Sequence, residues 1–248
     1  MSLRIALDLD GTLADMRSAL QMVEDRLFGA GPADPGGPDD TERHAPAQDR
    51  TEAREARKVN ASGLGVRKEG LTLRQQRRVW EAVAQIEDFW ESLDEIEPGA
   101  VRAIASKAAQ RRWEVIFFTK RPATTGRAVQ LQTQRWLRAR GFPLPSVSVV
   151  AGSRGKAADA LEIDAVVDDS PQNCVDVRSE SKAAAILVWR DASEAITVNA
   201  KRLGISVVSS AAEALKVLAD LDEKRTHWTL ADRVRRAVGL AHPTVNRL

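Results

Sequence analysis

From residue 98 onward the chain alternates short apolar runs with stretches in which apolar side chains recur every three to four positions. The runs predict strands at 114–119, 147–150, 165–168, 184–189 and 205–208. The periodic stretches predict helices at 99–111, 124–140 and 155–161, with further helices between and after the last strands. Strands that alternate with helices at this spacing must lie mostly parallel, because each crossover carries the chain back along one face of the sheet.

The first half of the chain is patterned differently. An apolar run, Ile5-Ala6-Leu7, predicts one strand ending at Asp8. Residues 15–28 place Met16, Ala19, Leu20, Val23 and Leu27 at helical intervals, with Asp15 as N-cap. A second helix begins near Thr72, whose spacing to Gln75 fits a capping box. Its stripe of Leu73, Val79, Val83, Ile86, Phe89 and Trp90 predicts that it ends before Pro98-Gly99. Between the two helices, residues 29–68 hold almost nothing to bury and predict a mobile polar loop, with a lid ordering over substrate as the alternative. A crossover needs only a dozen or more residues, yet about a hundred separate the first two strands. The excess predicts a separate helical lobe. The expected fold is therefore α/β: a Rossmann-like, mostly parallel sheet with helices on both faces, formed by 1–13 and 98–248, plus a small helical cap at 14–97 inserted after the first strand.

Composition narrows the class. The 248 residues are 43% hydrophobic and 29% charged, ordinary values for a soluble globular protein. A net charge of +2 is too small to imply nucleic-acid binding. No apolar run approaches the ~20 residues of a membrane span, and Asp8 and Asp10 interrupt the N-terminal apolar stretch, so neither a membrane segment nor a signal peptide is expected. The single cysteine, Cys174, excludes an internal disulfide, reads as a small buried residue and fits a cytoplasmic setting. Lys224, Arg225, Arg233, Arg235 and Arg236 predict an amphipathic terminal helix with a solvated basic face. The sharper alternative is contact with a polyanion or a second subunit, the latter making a homodimer.

The chemistry concentrates at strand ends. Strand alternation sends Asp8 and Asp10 to one side, with Leu9 opposite. Two carboxylates this close repel unless a cation or a shared proton relieves them. An isolated Asp-x-Asp would read as a strand terminus. Here Thr119 ends Val115-Ile116-Phe117-Phe118, Lys156 follows Ser153-Arg154-Gly155, and Asp168-Asp169 follow Ala165-Val166-Val167. In an open α/β sheet such positions face a common crevice beyond the carboxyl ends of the strands. An all-oxygen ligand set without nearby Cys or His favours Mg²⁺ over Zn²⁺. One carboxylate, Asp8, can attack an electrophile and the other, Asp10, can move protons. Thr119 and Lys156 can donate to phosphoryl oxygens, although a lone lysine is more often solvated.

The order Asp8-Leu9-Asp10-Gly11-Thr12, Thr119, Lys156 and Asp168-Asp169 resembles the four motifs of the haloacid dehalogenase-like (HAD) phosphohydrolases. The resemblance implies a Mg²⁺-dependent phosphomonoesterase working through an aspartyl-phosphate. It makes Asp8 the nucleophile, Asp10 the acid/base with its backbone carbonyl on the metal, and Asp168 and Asp169 the remaining metal ligands. Asp88-Phe89-Trp90-Glu91-Ser92-Leu93, Ile96-Glu97-Pro98-Gly99-Ala100, Phe117 to Pro122 and Arg135-Trp136 are similar to the 5′(3′)-deoxyribonucleotidase branch. That likeness implies a nucleotide substrate, with Phe89 and Trp90 stacking on its base. Helical spacing alone fits both rings equally well to the cap's own core. Lys120 stands where that branch has a small hydroxyl residue, and Lys120 and Arg121 are expected to contact phosphate or a second anionic group. The competing readings are a phosphatase or phosphotransferase for sugar or other small-metabolite phosphates, and a non-catalytic phosphate- or polyanion-binding module.

Overall fold

A computed structural model describes residues 2–29, 71–191 and 194–226. The polar loop expected at 29–68, past Gly29, and the basic segment from 227 onward lie outside the described residues.

Six strands form one parallel sheet: β1 (Arg4–Asp8), β2 (Glu114–Thr119), β3 (Ser146–Val149), β4 (Ala165–Asp168), β5 (Ala184–Val188) and β6 (Ser206–Val208), in the order β3-β2-β1-β4-β5-β6. The chain builds outward from β1 on one side, then returns to the other side at β4 and builds outward again. This doubly wound order places a crevice between β1 and β4, where successive crossovers diverge. Asp8 closes β1 opposite Phe118 of β2, and Leu7 pairs with Val167 of β4, so Asp8 and Asp168 finish adjacent strands at the same level.

Alternation divides the sheet's side chains between two apolar layers. Ile5, Leu7, Phe117, Val167 and Ile186 join one cluster, while Ala6, Phe118, Val166 and Leu187 join the other. The first layer is covered by α1 (Met16–Phe28), α2 (Leu73–Ala84), α3 (Ala100–Arg111), α4 (Val129–Ala139) and α8 (Ala211–Thr226). The second is covered by α5 (Arg154–Ala160), α6 (Pro171–Glu180) and α7 (Glu194–Arg202). Both faces being covered explains why β4 is buried along its whole length and reads as an uninterrupted apolar run. None of the described helices is long and apolar enough to cross a membrane.

The expected caps form. Asp15 accepts a hydrogen bond from Ser18 N–H at 3.0 Å, and Thr72 and Gln75 make a reciprocal capping box. The second helix is shorter than its apolar stripe predicted. α2 stops at Ala84, and Phe89–Glu91 form a separate 3₁₀ turn. At the break the Ala84 carbonyl accepts from the Thr125 N–H at 2.8 Å; beyond it Asp88 has φ +49°, and its carboxylate accepts from the Arg127 N–H at 2.7 Å and pairs with the Arg127 guanidinium. A tertiary contact thus overrides the local periodicity. The helix expected over 124–140 likewise begins only at Val129.

Candidate active site

Four chain segments converge on the crevice. The first is the turn after β1. Leu13 and Ala14 N–H groups both donate to the Leu9 carbonyl at 2.8 and 2.7 Å, folding Asp10 to Ala14 into a tight loop. Gly11 has φ +89°, and a Cβ there would lie 2.0 Å from Asp169 Oδ2. Only glycine lets the two acidic segments approach so closely. Arg190, just beyond β5, fixes the same loop by donating to the Gly11 and Thr12 carbonyls at 2.8 and 3.1 Å and to Glu97 at 2.6 Å.

Asp8, Asp168 and Asp169 bring carboxylate oxygens within 4.8 Å of one another. Asp8 and Asp168 are buried. Burial and the neighbouring Asp168 charge push the Asp8 carboxyl well above its ordinary range, against the pull of Arg154. Asp168 is raised by burial, opposed by Arg154, the Ser170 N–H and Asn173. Asn173 donates to both Asp168 oxygens at 3.0 Å, from the first turn of α6 that Ser170 caps and Pro171 opens. Asp169 is raised to about 7, by burial first and Asp168 second. Three crowded carboxylates with unmet charge suit a hard divalent cation, since all the donors are oxygen. The residues fit such an ion.

One cation already stands in the cluster, and it is not the expected one. Arg154 is buried, donates to Asp8 Oδ1 at 2.8 Å and lies 3.7 Å from Asp168. Lys156 is exposed, and its backbone N–H, with that of Gly155, donates to the Ser153 cap. Helical phase separates Lys156 from Arg154: residues two apart are rotated by about 200° and do not share a face. Gly155 sets that phase, because a Cβ there would lie 2.1 Å from the Asp176 carbonyl of α6. The signal was present in the sequence, since Arg154 and Ala158 are four apart and share the buried face.

Thr119 is fully buried at the end of β2. Its hydroxyl donates to Asp10 Oδ2 at 3.2 Å and accepts from the Arg121 N–H at 3.2 Å. The Asp10 carboxylate is turned toward Thr119 and Arg121 and is not one of the three clustered acids. Lys120 is half-buried, and burial followed by the charge of Arg154 lowers its ammonium pKa. Cys174 is buried, with its thiol 3.9 Å from the Asp168 carbonyl. Desolvation pushes that thiol well above its ordinary pKa and makes it inert as a nucleophile.

Phe89 and Trp90 do not form an open platform. They are 4% and 0% exposed and meet edge to face at 4.9 Å. Trp90 Nε1 donates to the Pro122 carbonyl at 3.0 Å, and the Arg121 guanidinium lies over its ring at 4.9 Å. The expected stacking of a nucleobase on this pair is corrected accordingly, since Arg121 already occupies the Trp90 face.

No protein-family model and no curated protein matches the chain. Among solved structures, it is similar to a haloacid dehalogenase-like family hydrolase from Xanthomonas campestris, with 14% identity, coverage of 90% of this chain and 97% of that one, and a TM-score of 0.48. A phosphonoacetaldehyde hydrolase-like protein from Oleispira antarctica gives 16% identity, coverage of 92% and 95%, and a TM-score of 0.49. A HAD family hydrolase from Deinococcus radiodurans, solved with bound phosphate and sodium, gives 19% identity, coverage of 88% and 96%, and a TM-score of 0.48.

Proposed function

We propose that the chain is a Mg²⁺-dependent phosphomonoester hydrolase of the HAD type that works through an aspartyl-phosphate intermediate. The observation that carries this reading is the environment of Asp8: a buried carboxylate ending the central strand, clustered with Asp168 and Asp169 and held at 2.8 Å by the Arg154 guanidinium. A phosphate monoester resists attack because its own charge repels nucleophiles. Mg²⁺ held by Asp8, Asp168 and Asp169 would supply the charge neutralisation that lets a carboxylate approach.

The protein's own groups account for the rest. An Asp8 oxygen attacks phosphorus as the bond to the ester oxygen breaks, and Asp10 gives that departing oxygen a proton. Water then attacks the acyl phosphate while Asp10 takes its proton, releasing phosphate and regenerating Asp8. Arg154, already against the nucleophile, supplies a planar donor array for the transferring oxygens, and Thr119 and Lys120 stand at the same strand end. The nucleotide substrate expected from Phe89 and Trp90 loses its support once those rings are covered. A small phosphorylated metabolite, such as a sugar phosphate, is the substrate class favoured by the burial of Trp90.

The direct test is phosphate release from a panel of nucleotides and sugar phosphates, with Mg²⁺ and with chelator. Mg²⁺-dependent release that is stronger on non-nucleotide esters is expected. No release from any ester rejects the hydrolase reading. The assignment of the basic residue has its own test. Arg154→Met should lower kcat/KM by about 10²–10³-fold, while Lys156→Ala should stay within about threefold of wild type. The reverse pattern in steady-state assays would return the role to Lys156.

A further inference from the structure

Arg121 was expected to meet an anionic group of the substrate, yet the structure turns its guanidinium to groups of the protein itself. Its side chain is 0% exposed. Nε lies 2.9 and 3.0 Å from the two Asp10 oxygens, Nη2 donates to Asp10 Oδ1 at 2.8 Å, and Nη1 donates to Thr133 Oγ1 at 3.0 Å. The Trp90 ring covers one face of the guanidinium at 4.9 Å. Trp90 is itself pinned at both of its N–H groups: its indole N–H donates to the Pro122 carbonyl, and its backbone N–H donates to Gln132 Oε1 at 3.1 Å. Gln132 is buried and in turn donates to Thr124 Oγ1 at 3.0 Å and the Arg127 carbonyl at 2.6 Å.

We infer that Arg121 is a positioning residue for Asp10, with Trp90 as its platform and Thr133 as its anchor. The inference rests on the hydrolase reading and concerns how its acid/base is aimed. Asp10 follows the strand end, on a tight loop where its carboxylate would otherwise be free to rotate. Nε and Nη2 of Arg121 together reach both oxygens, and Thr119 adds a third donor. A buried guanidinium is costly unless each of its edges is used. Here each of the three nitrogens donates within the protein and the side chain is closed off from solvent, which suits a rigid support better than a substrate contact. The indole thus acts on the reaction through Arg121.

A misplaced general acid hurts most where the leaving group needs its proton. An alkoxide leaves only as it is protonated, whereas p-nitrophenolate departs unaided. kcat/KM covers every step through that departure, so it reports the placement of Asp10 selectively for alkyl esters.

Arg121→Lys keeps the charge but loses the fork. It should lower kcat/KM for glycerol phosphate by about 10²-fold, and that for p-nitrophenyl phosphate by less than about tenfold. Thr133→Val removes only the anchor and should show the same skew at about three- to tenfold. Circular dichroism establishes that each variant is folded. Should Arg121→Lys not fold, Thr133→Val decides alone. Equal losses on the two esters, or none, in the folded variants of an active enzyme overturn the inference and leave the hydrolase reading standing. Inactivity of the wild-type protein on both esters overturns the hydrolase reading, and this inference with it.

Discussion

Asp8→Asn is expected to lower phosphatase kcat/KM by roughly 10⁴-fold or more while leaving the protein folded and at least as stable as the wild type. The two halves of this expectation come from one cluster. Chemically, an amide cannot form the acyl phosphate at a useful rate, so turnover through residue 8 stops. Structurally, the Asp8 carboxylate is raised by burial and by Asp168, Asp169 and Asp10, with Arg154 alone opposing them. Asparagine removes one charge from that crowd. Its carbonyl can still accept from Arg154, and its amide can donate toward Asp168 or Asp169. A variant that is inactive but unchanged or raised in Tm supports the nucleophile assignment. Retention of more than about 1% of activity would move the nucleophile elsewhere. A Tm lowered by about 10 °C or more would mean that the substitution broke the fold, leaving Asp8 a structural residue.

The skeleton of this site was legible in the sequence because each part of it is locally encoded. β2 over 114–119 and β4 over 165–168 fall where the apolar runs placed them, since both strands are covered on both faces and need no alternation. Of the four acids the sequence grouped, Asp8, Asp168 and Asp169 cluster because parallel strand ends share one rim, whereas the Asp10 carboxylate turns to Arg121. What was not legible depended on relations between elements. Lys156 and Arg154 differ only in helical phase, and that phase is set by Gly155 packing on the Asp176 carbonyl. Phe89 and Trp90 continued the stripe of α2, but the helix ends at Ala84, whose carbonyl accepts from Thr125, and Asp88 beyond it meets Arg127. Arg121 read as a contact for phosphate or a second anionic group, because nothing local announces that Trp90, about thirty residues earlier, will cover it.

The same carboxylates make stability depend on pH and on metal in a linked way. Asp169 is raised to about 7 from an ordinary 3.8, and Asp8 and Asp168 are raised as well. Below about pH 3 these groups are largely protonated in the folded and unfolded chains alike. As pH rises, the unfolded chain releases their protons first while the folded protein keeps them, so ∂ΔG/∂pH is negative. Metal-free protein should therefore lose stability from about pH 4 upward through pH 7, the range over which Asp169 keeps a proton that the unfolded chain has released. The exposed Glu114 and Glu213, whose pKa values are lowered, run the other way, but only at acidic pH where they titrate. On the proposed reading Mg²⁺ should reverse the penalty, by binding the ionised trio in competition with protons. At about 100 times its dissociation constant, it should add about 2.7 kcal/mol, or roughly 5–10 °C in Tm for a chain of this size. Thermal unfolding at pH 5 and pH 8, in chelator and in Mg²⁺, measures both effects. The chelated protein should melt lower at pH 8, and Mg²⁺ should raise Tm far more at pH 8 than at pH 5. In Asp169→Asn the alkaline loss should shrink and the Mg²⁺ response should fall. If Mg²⁺ left Tm unmoved at pH 8, or if the chelated protein grew steadily more stable from pH 5 to pH 8, the trio would not be a cation site. The buried acids would then need another source of compensation.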